Sequence, residues 1–186
     1  MVGETLSDDR TGKTYSFDVC FECKLMCCRG ANPPLTAKRK KIIIAYLKKE
    51  GAHSAGLFDD EAYSHPKADA QEYCVFYNRD TGKCRVHSVK PETCVAGPIT
   101  FDINLQAGKV EWFLKKGSIC AFAQKLYADI VKFHEHFEAV KPEITRLICE
   151  LDAEALWAIL KIPEPETFKV GENELPLEVR KKLKIA

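Results

Sequence analysis

Nine cysteines constrain this chain of 186 residues more than any other feature. Four are packed into residues 20–28 as Cys20-x2-Cys23-x3-Cys27-Cys28. Four more follow at Cys74, Cys84, Cys94 and Cys120, and the last is Cys149. At about 5% of the chain they fall short of the roughly 8–10% expected of a short disulfide scaffold. Met1–Arg10 is acidic and polar, unlike a secretory signal, so the expected location is the cytoplasm. Thiols stay reduced there, and clustered reduced cysteines read as metal ligands or redox groups. An odd total leaves at least one outside any four-ligand set.

The rest of the composition is that of a folded domain. With 46% hydrophobic residues and a formal net charge of +1, disorder is not expected. The length suits one domain with a small appendage and a core of its own. The balance of 28 Lys+Arg against 27 Asp+Glu lacks the basic excess of a general nucleic-acid binder. The longest apolar run, Ile42-Ile43-Ile44-Ala45-Tyr46-Leu47, is far below the roughly 18 residues of a membrane helix. No membrane is expected and nucleic acid is disfavoured as a partner, leaving an unknown protein as the candidate partner.

A Cys-x2-Cys turn can direct both sulfurs to one metal, and Cys27, four residues past Cys23, can reach the same site. Cys28 is too close to Cys27 to chelate the same atom without strain. It can ligate another iron of a cluster, join a second site, or be buried. Cys74 and Cys84 bracket a predicted hairpin turning at Asn78-Arg79-Asp80-Thr81-Gly82. Cys94 follows a tight turn at Lys90-Pro91-Glu92-Thr93. Cys120 is expected in the first turn of a helix, where the dipole favours a thiolate. The candidate metal ligands are thus Cys20, Cys23, Cys27, Cys28, Cys74, Cys84, Cys94 and Cys120.

Cys-x2-Cys-x3-Cys-Cys, then Cys74-x9-Cys84, then Pro91-x-x-Cys94, resembles the YkgJ-type cysteine-cluster family over roughly residues 17–122. That resemblance implies a zinc- or iron-chelating domain, often described as holding an iron–sulfur cluster. The family commonly carries Arg-Pro-x-x-Cys-Arg, where this chain has Lys90-Pro91-Glu92-Thr93-Cys94-Val95, and Lys is not an equivalent of Arg. A flagellin lysine methylase resembles the same family in its cysteine region. A protein-lysine methyltransferase relative is therefore a further alternative, resting on resemblance alone.

Four thiolates suit Zn(II) or an iron–sulfur cluster. Zinc favours two Cys-x2-Cys knuckles, and only one such pair is present. Cuboidal clusters accept less regular, cysteine-rich and histidine-poor ligation. The donor set thus favours an iron–sulfur cluster, of the 4Fe-4S type, in a redox or accessory role. The alternative is a structural zinc module that binds a partner. No catalytic residue is identifiable: dinucleotide, Walker, nucleophile-elbow and radical-SAM patterns are missing, and no carboxylate pair stands out.

The expected fold is α+β. A polar segment (1–19) precedes a cysteine-cluster domain (20–122) with one or two hairpins, and a helical extension (123–186) packs on it. Thr36 caps a helix to Glu50, stopped by Gly51. Residues 52–71 read as a loop. Ile99–Leu105 and Val110–Leu114 form a hairpin with Ile99, Phe101, Ile103 and Leu105 inward. Ser118 caps a helix whose stripe runs through Ile119, Phe122, Leu126, Ile130, Phe133, Phe137 and Val140. A second helix starts at Pro142 and pairs antiparallel with the first. A short basic helix begins at Leu177.

The other features have plainer readings. Cys149 belongs to the core. His87, in Cys84-x2-His87 spacing, is a polar strand-end residue, with zinc ligation the alternative. His134 and His136 occupy a half-exposed helix face, because residues two apart on a helix diverge. His53 and His65 sit in a loop with nothing converging on them. The run Lys38-Arg39-Lys40-Lys41 opposes its helix dipole and reads as a solvated face, with an acidic partner as the alternative.

Overall fold

A computed structural model describes residues 27–163 and 166–185. The segment 1–19, and Cys20 and Cys23 with it, lies outside the described residues.

The first helix follows from its cap. Thr36 Oγ1 accepts the Arg39 N–H at 3.0 Å, and α1 runs Ala37–Lys49. Arg39, Ile43 and Leu47, four apart, form its buried face. It stops at Gly51, whose φ of +67° is the left-handed conformation that glycine adopts without strain, and whose N–H bonds the Lys48 carbonyl.

Residues 52–71 are not a plain loop. Phe58–Asp60 (β1) and Ser64–Pro66 (β2) pair antiparallel. Only Phe58 and Pro66 of this hairpin are buried, so three-residue strands left no alternation to read. Tyr77–Asn78 (β3) and Lys83–Cys84 (β4) pair as expected, but each is two residues long. The Asn78 side chain closes their turn by accepting the Thr81 N–H at 3.0 Å. A 3-10 turn, His87–Val89, leads to the short helix α2, Glu92–Ala96.

The larger sheet has the order β5-β6-β7 and is antiparallel throughout. β5 (Ile99–Asn104) buries Ile99, Phe101 and Ile103, as their alternation predicts, with Leu105 partly buried beyond. β6 (Lys109–Lys115) buries Val110, Trp112 and Leu114. The third strand, β7 (Thr167–Glu174), falls in a stretch for which the sequence suggested no element. It is an edge strand with a mostly exposed, charged pattern, so periodicity carried no signal.

The helical part departs from expectation in where it breaks. Cys120, not Ser118, is the N-cap of α3 (Ala121–Ala128). The chain then turns at Asp129, whose side chain caps α4 (Ile130–Glu150) by accepting the Lys132 N–H at 3.1 Å. Pro142 lies inside α4. A proline there forfeits one ladder bond, but Val140 and Ile144 on either side are each 1% exposed and hold the helix in the core. Phe133, Phe137 and Val140 of the first stripe therefore continue into the second stripe on one helix, α4, instead of the two stripes forming an antiparallel pair. Ile130, assigned to the stripe, is exposed at the break. Asp152 caps α5 (Ala153–Ile159), and α6 spans Leu177–Leu183.

The fold is α+β, with two buried clusters. One is built on β5–β7 and α3–α6 and centres on Trp112, which meets Phe137 edge-on at 5.9 Å. The other comprises Leu35, Ile43, Leu47, Phe58, Phe76 and Val86. A buried polar chain joins them. Glu92 Oε1 accepts the Thr36 hydroxyl at 2.7 Å and lies 3.6 Å from Arg39 Nε. Arg39 then reaches Glu143 on α4 at 2.8 Å. The basic run thus is not simply a solvated face. Arg39 is buried in ion pairs, and the Glu92 carboxylate at the start of α1 complements the helix dipole. Among the described residues, no helix is long and apolar enough to cross a membrane.

Candidate metal centre

Six of the seven described cysteines, all but Cys149, gather where the two clusters meet. Cys74 and Cys84 pack against the smaller cluster, and Cys120 packs against the larger. Cys94 sits on α2, whose Ala96 belongs to the larger cluster.

Backbone pairing draws the N-terminal pair in. The Cys74 N–H donates to the Cys28 carbonyl and the Gly30 N–H to the Glu72 carbonyl, both at 2.8 Å. Arg29 and Tyr73 form an antiparallel bridge between these bonds, and Cys74 also bridges Ala68. The guanidinium groups of Arg29 and Arg79 lie 5.7 and 4.8 Å from the centre of the Tyr73 ring, which braces the pairing. Tyr77 faces Cys84 across the β3–β4 pair.

These thiols influence one another across the junction. Cys27 acts electrostatically on Cys84, Cys94 and Cys120. Cys28 feels Cys84 and Cys94. Cys74 and Cys84 are mutually within reach of Cys94. Five separated segments thus contribute six sulfurs to one neighbourhood. Among the described residues, no three His, Cys, Asp or Glu side chains close tightly enough to hold an ion by themselves.

Their protonation differs. The Cys28 thiol donates to Cys27, which holds Cys27 down at about 6, with Lys115 and Lys90 adding positive charge. Cys28 keeps its proton because of that hydrogen bond and its burial. Burial raises Cys74 to about 11, and also raises Cys84 and Cys94. At Cys120 two backbone N–H groups favour the thiolate, but burial outweighs them and the thiol is raised. The expected help from the helix start is therefore present and overcome. A bound cation displaces such protons, so metal affinity here depends on pH.

The sulfur donor set fits zinc or iron. Burial lowers His87 to about 4, with the Lys90 charge adding to it, so its imidazole is neutral in the 3-10 turn that follows Cys84. Two assignments need adjusting. His136 is buried, not half-exposed: its Nε2 lies 3.1 Å from the Ala96 carbonyl, tying α4 to the cysteine-bearing α2. Lys90, noted in the sequence only for its difference from Arg, is buried as well. Cys149 is partly buried against the larger cluster, and none of these thiols is among the groups acting on it.

The fold is small and α+β, with six described cysteines at the junction of its two apolar clusters. Residues 19–121, more than half of the chain, match the CxxCxxCC family, described as "Putative zinc- or iron-chelating domain". The chain belongs to that family. No curated protein and no solved structure matches it.

Proposed function

We propose that the centre is an iron–sulfur cluster of the 4Fe-4S type, carrying electrons or serving a partner enzyme as an accessory. The observation that supports this reading is the gathering of six described thiols from five segments at one junction. A mononuclear zinc site takes four ligands, commonly from paired knuckles. A cluster spreads its cysteines over several irons and tolerates irregular spacing. Unpaired thiols at this density persist in a reducing compartment, so the reading places the protein in the cytoplasm.

A structural zinc centre is the second reading. The position of the thiols between two apolar clusters favours it, because an ion there fastens the two halves together.

Elemental analysis of chain purified without air tests the proposal. About four iron and four acid-labile sulfide per chain are expected for one cuboidal cluster. Stoichiometric zinc with no sulfide overturns it.

A further inference from the structure

β7 is the outer strand of its sheet. β6 pairs with one edge, and among the described residues no strand pairs with the other. A strand of eight residues with a free edge is a template for another chain. Its side chains show which chain fits. Gly171 pairs with Trp112 and Lys169 with Phe113, so Val170 is the extra residue of a bulge. In a regular strand, residues three apart point to opposite faces. Here the bulge puts Lys169 and Glu172 on the same face, where the Lys169 ammonium bonds Glu172 at 2.8 Å and Glu111 of β6 at 2.7 Å. Glu172 also pairs with Lys109. Phe168, Gly171 and Asn173 lie on the face that the helices cover. Phe168 meets Tyr127 of α3 edge-on at 6.1 Å, and a Cβ on Gly171 would lie 3.3 Å from the Phe137 ring of α4. Asn173 accepts the Trp112 indole N–H at 2.7 Å.

The pattern of faces thus reads the same from either end of the strand. About the Val170–Gly171 bond, Phe168 mirrors Asn173 and Lys169 mirrors Glu172. A second β7 laid antiparallel in that register keeps these four positions on their proper faces. It also sets Lys169 of each copy opposite Glu172 of the other. Parallel addition in register sets like charges opposite each other, which is unfavourable. We propose that the outer edge of β7 is a homodimer interface, at which a second copy of this chain adds its own β7 antiparallel about a two-fold axis and doubles the sheet. Edge charges ordinarily deter such pairing, but here each meets its opposite. The Lys169 and Glu172 side chains remain 42% and 37% exposed beside their partners within the chain, so both are open to a further ion pair. Pairing also covers Phe168, which is 51% exposed near the start of the strand. The interface does not depend on what the cysteines bind.

Sedimentation equilibrium of the full chain over a range of concentrations, with reductant present to exclude disulfide cross-links, provides the test. The unmodified chain should pass from monomer to dimer as concentration rises. Lys169→Glu and Glu172→Lys should each weaken the dimer at least about tenfold, because each reversal sets two like-charged pairs across the axis. An equimolar mixture of the two variants should associate again, since every cross-axis contact then joins Glu to Lys. Amide hydrogen exchange of the unmodified chain needs no variant, and decides the matter if circular dichroism shows that a variant fails to fold. Amides of β7 should exchange more slowly at concentrations where the dimer forms. A chain that stays monomeric overturns the proposal, and equal protection of β7 at all concentrations then marks cover by another segment of the same chain. A dimer that survives both reversals, or folded variants whose mixture does not associate, overturns it as well.

Discussion

The backbone N–H of Cys74 donates to the carbonyl of Cys28 at 2.8 Å, joining residues 46 positions apart in the chain. That bond anchors the end of the dense N-terminal motif beside the cysteines of the hairpin and of α2. Ligands from distant segments share a site only if the backbone is pinned in this way. The convergence accounts for why so many cysteines accompany an otherwise ordinary α+β composition.

If the junction holds the metal, single ligand losses should be severe. Cys84→Ser and Cys94→Ser are each expected to lower bound metal to less than about half, since a missing ligand leaves an open coordination position. Cys149→Ala should leave the content unchanged. Metal retained in both serine variants, measured by inductively coupled plasma analysis, contradicts the assignment.

In the metal-free chain Cys27 should be the most reactive of the described thiols. It ionises at about 6 because Cys28 donates to it, whereas burial raises Cys74, Cys84 and Cys94. The thiolate is the nucleophile, so iodoacetamide labelling at pH 7, read by peptide mass spectrometry, should mark Cys27 before the other described cysteines. Cys28→Ala removes the donor and should shift the labelling profile of Cys27 to higher pH. Labelling led by Cys74 or Cys94 runs against the account.

Glu92 links α1, α2 and, through Arg39, α4. Glu92→Ala strips a nearly fully buried carboxylate from a buried arginine and is expected to cost about 3–5 kcal/mol in urea unfolding. Glu143 still faces Arg39, so the lower end of that range is expected. A loss below about 1 kcal/mol shows that the chain is not structurally important.

His136 gives a pH dependence with a defined sign. Burial holds it below its ordinary value, while in the unfolded chain it titrates at about 6.5. As pH falls below about 6.5 the unfolded chain takes up a proton that the folded chain resists, so stability drops toward the native value of the group. Cys27, lowered in the folded chain, contributes a loss in the same direction between about pH 9 and 6. The difference between unmodified and His136→Gln chains isolates the histidine. The variant should lose less stability between about pH 6.5 and 5, followed by denaturant midpoints. Parallel profiles contradict the burial of His136.

Elements with local signals were legible in the sequence. Thr36 and Gly51 bound α1, and the alternation of Ile99, Phe101 and Ile103 announced β5. The edge strand β7 was not legible, because its residues are mostly exposed and only its pairing with β6 makes it a strand. Nor was the break at Asp129. Pro142 offered the stronger local stop, yet the burial of Val140 and Ile144 overrode it. For the candidate centre, spacing picked out the cysteines as candidate ligands. The buried neighbour His136 could not be read in this way, since its burial arises only when α2 packs on α4.

X-ray absorption at the metal edge of the full chain, prepared without air, tests the central claim most directly. A shell of sulfur alone near 2.3 Å, with iron neighbours beyond it, is the predicted result. A first shell dominated by nitrogen or oxygen, or a chain without bound metal, contradicts it.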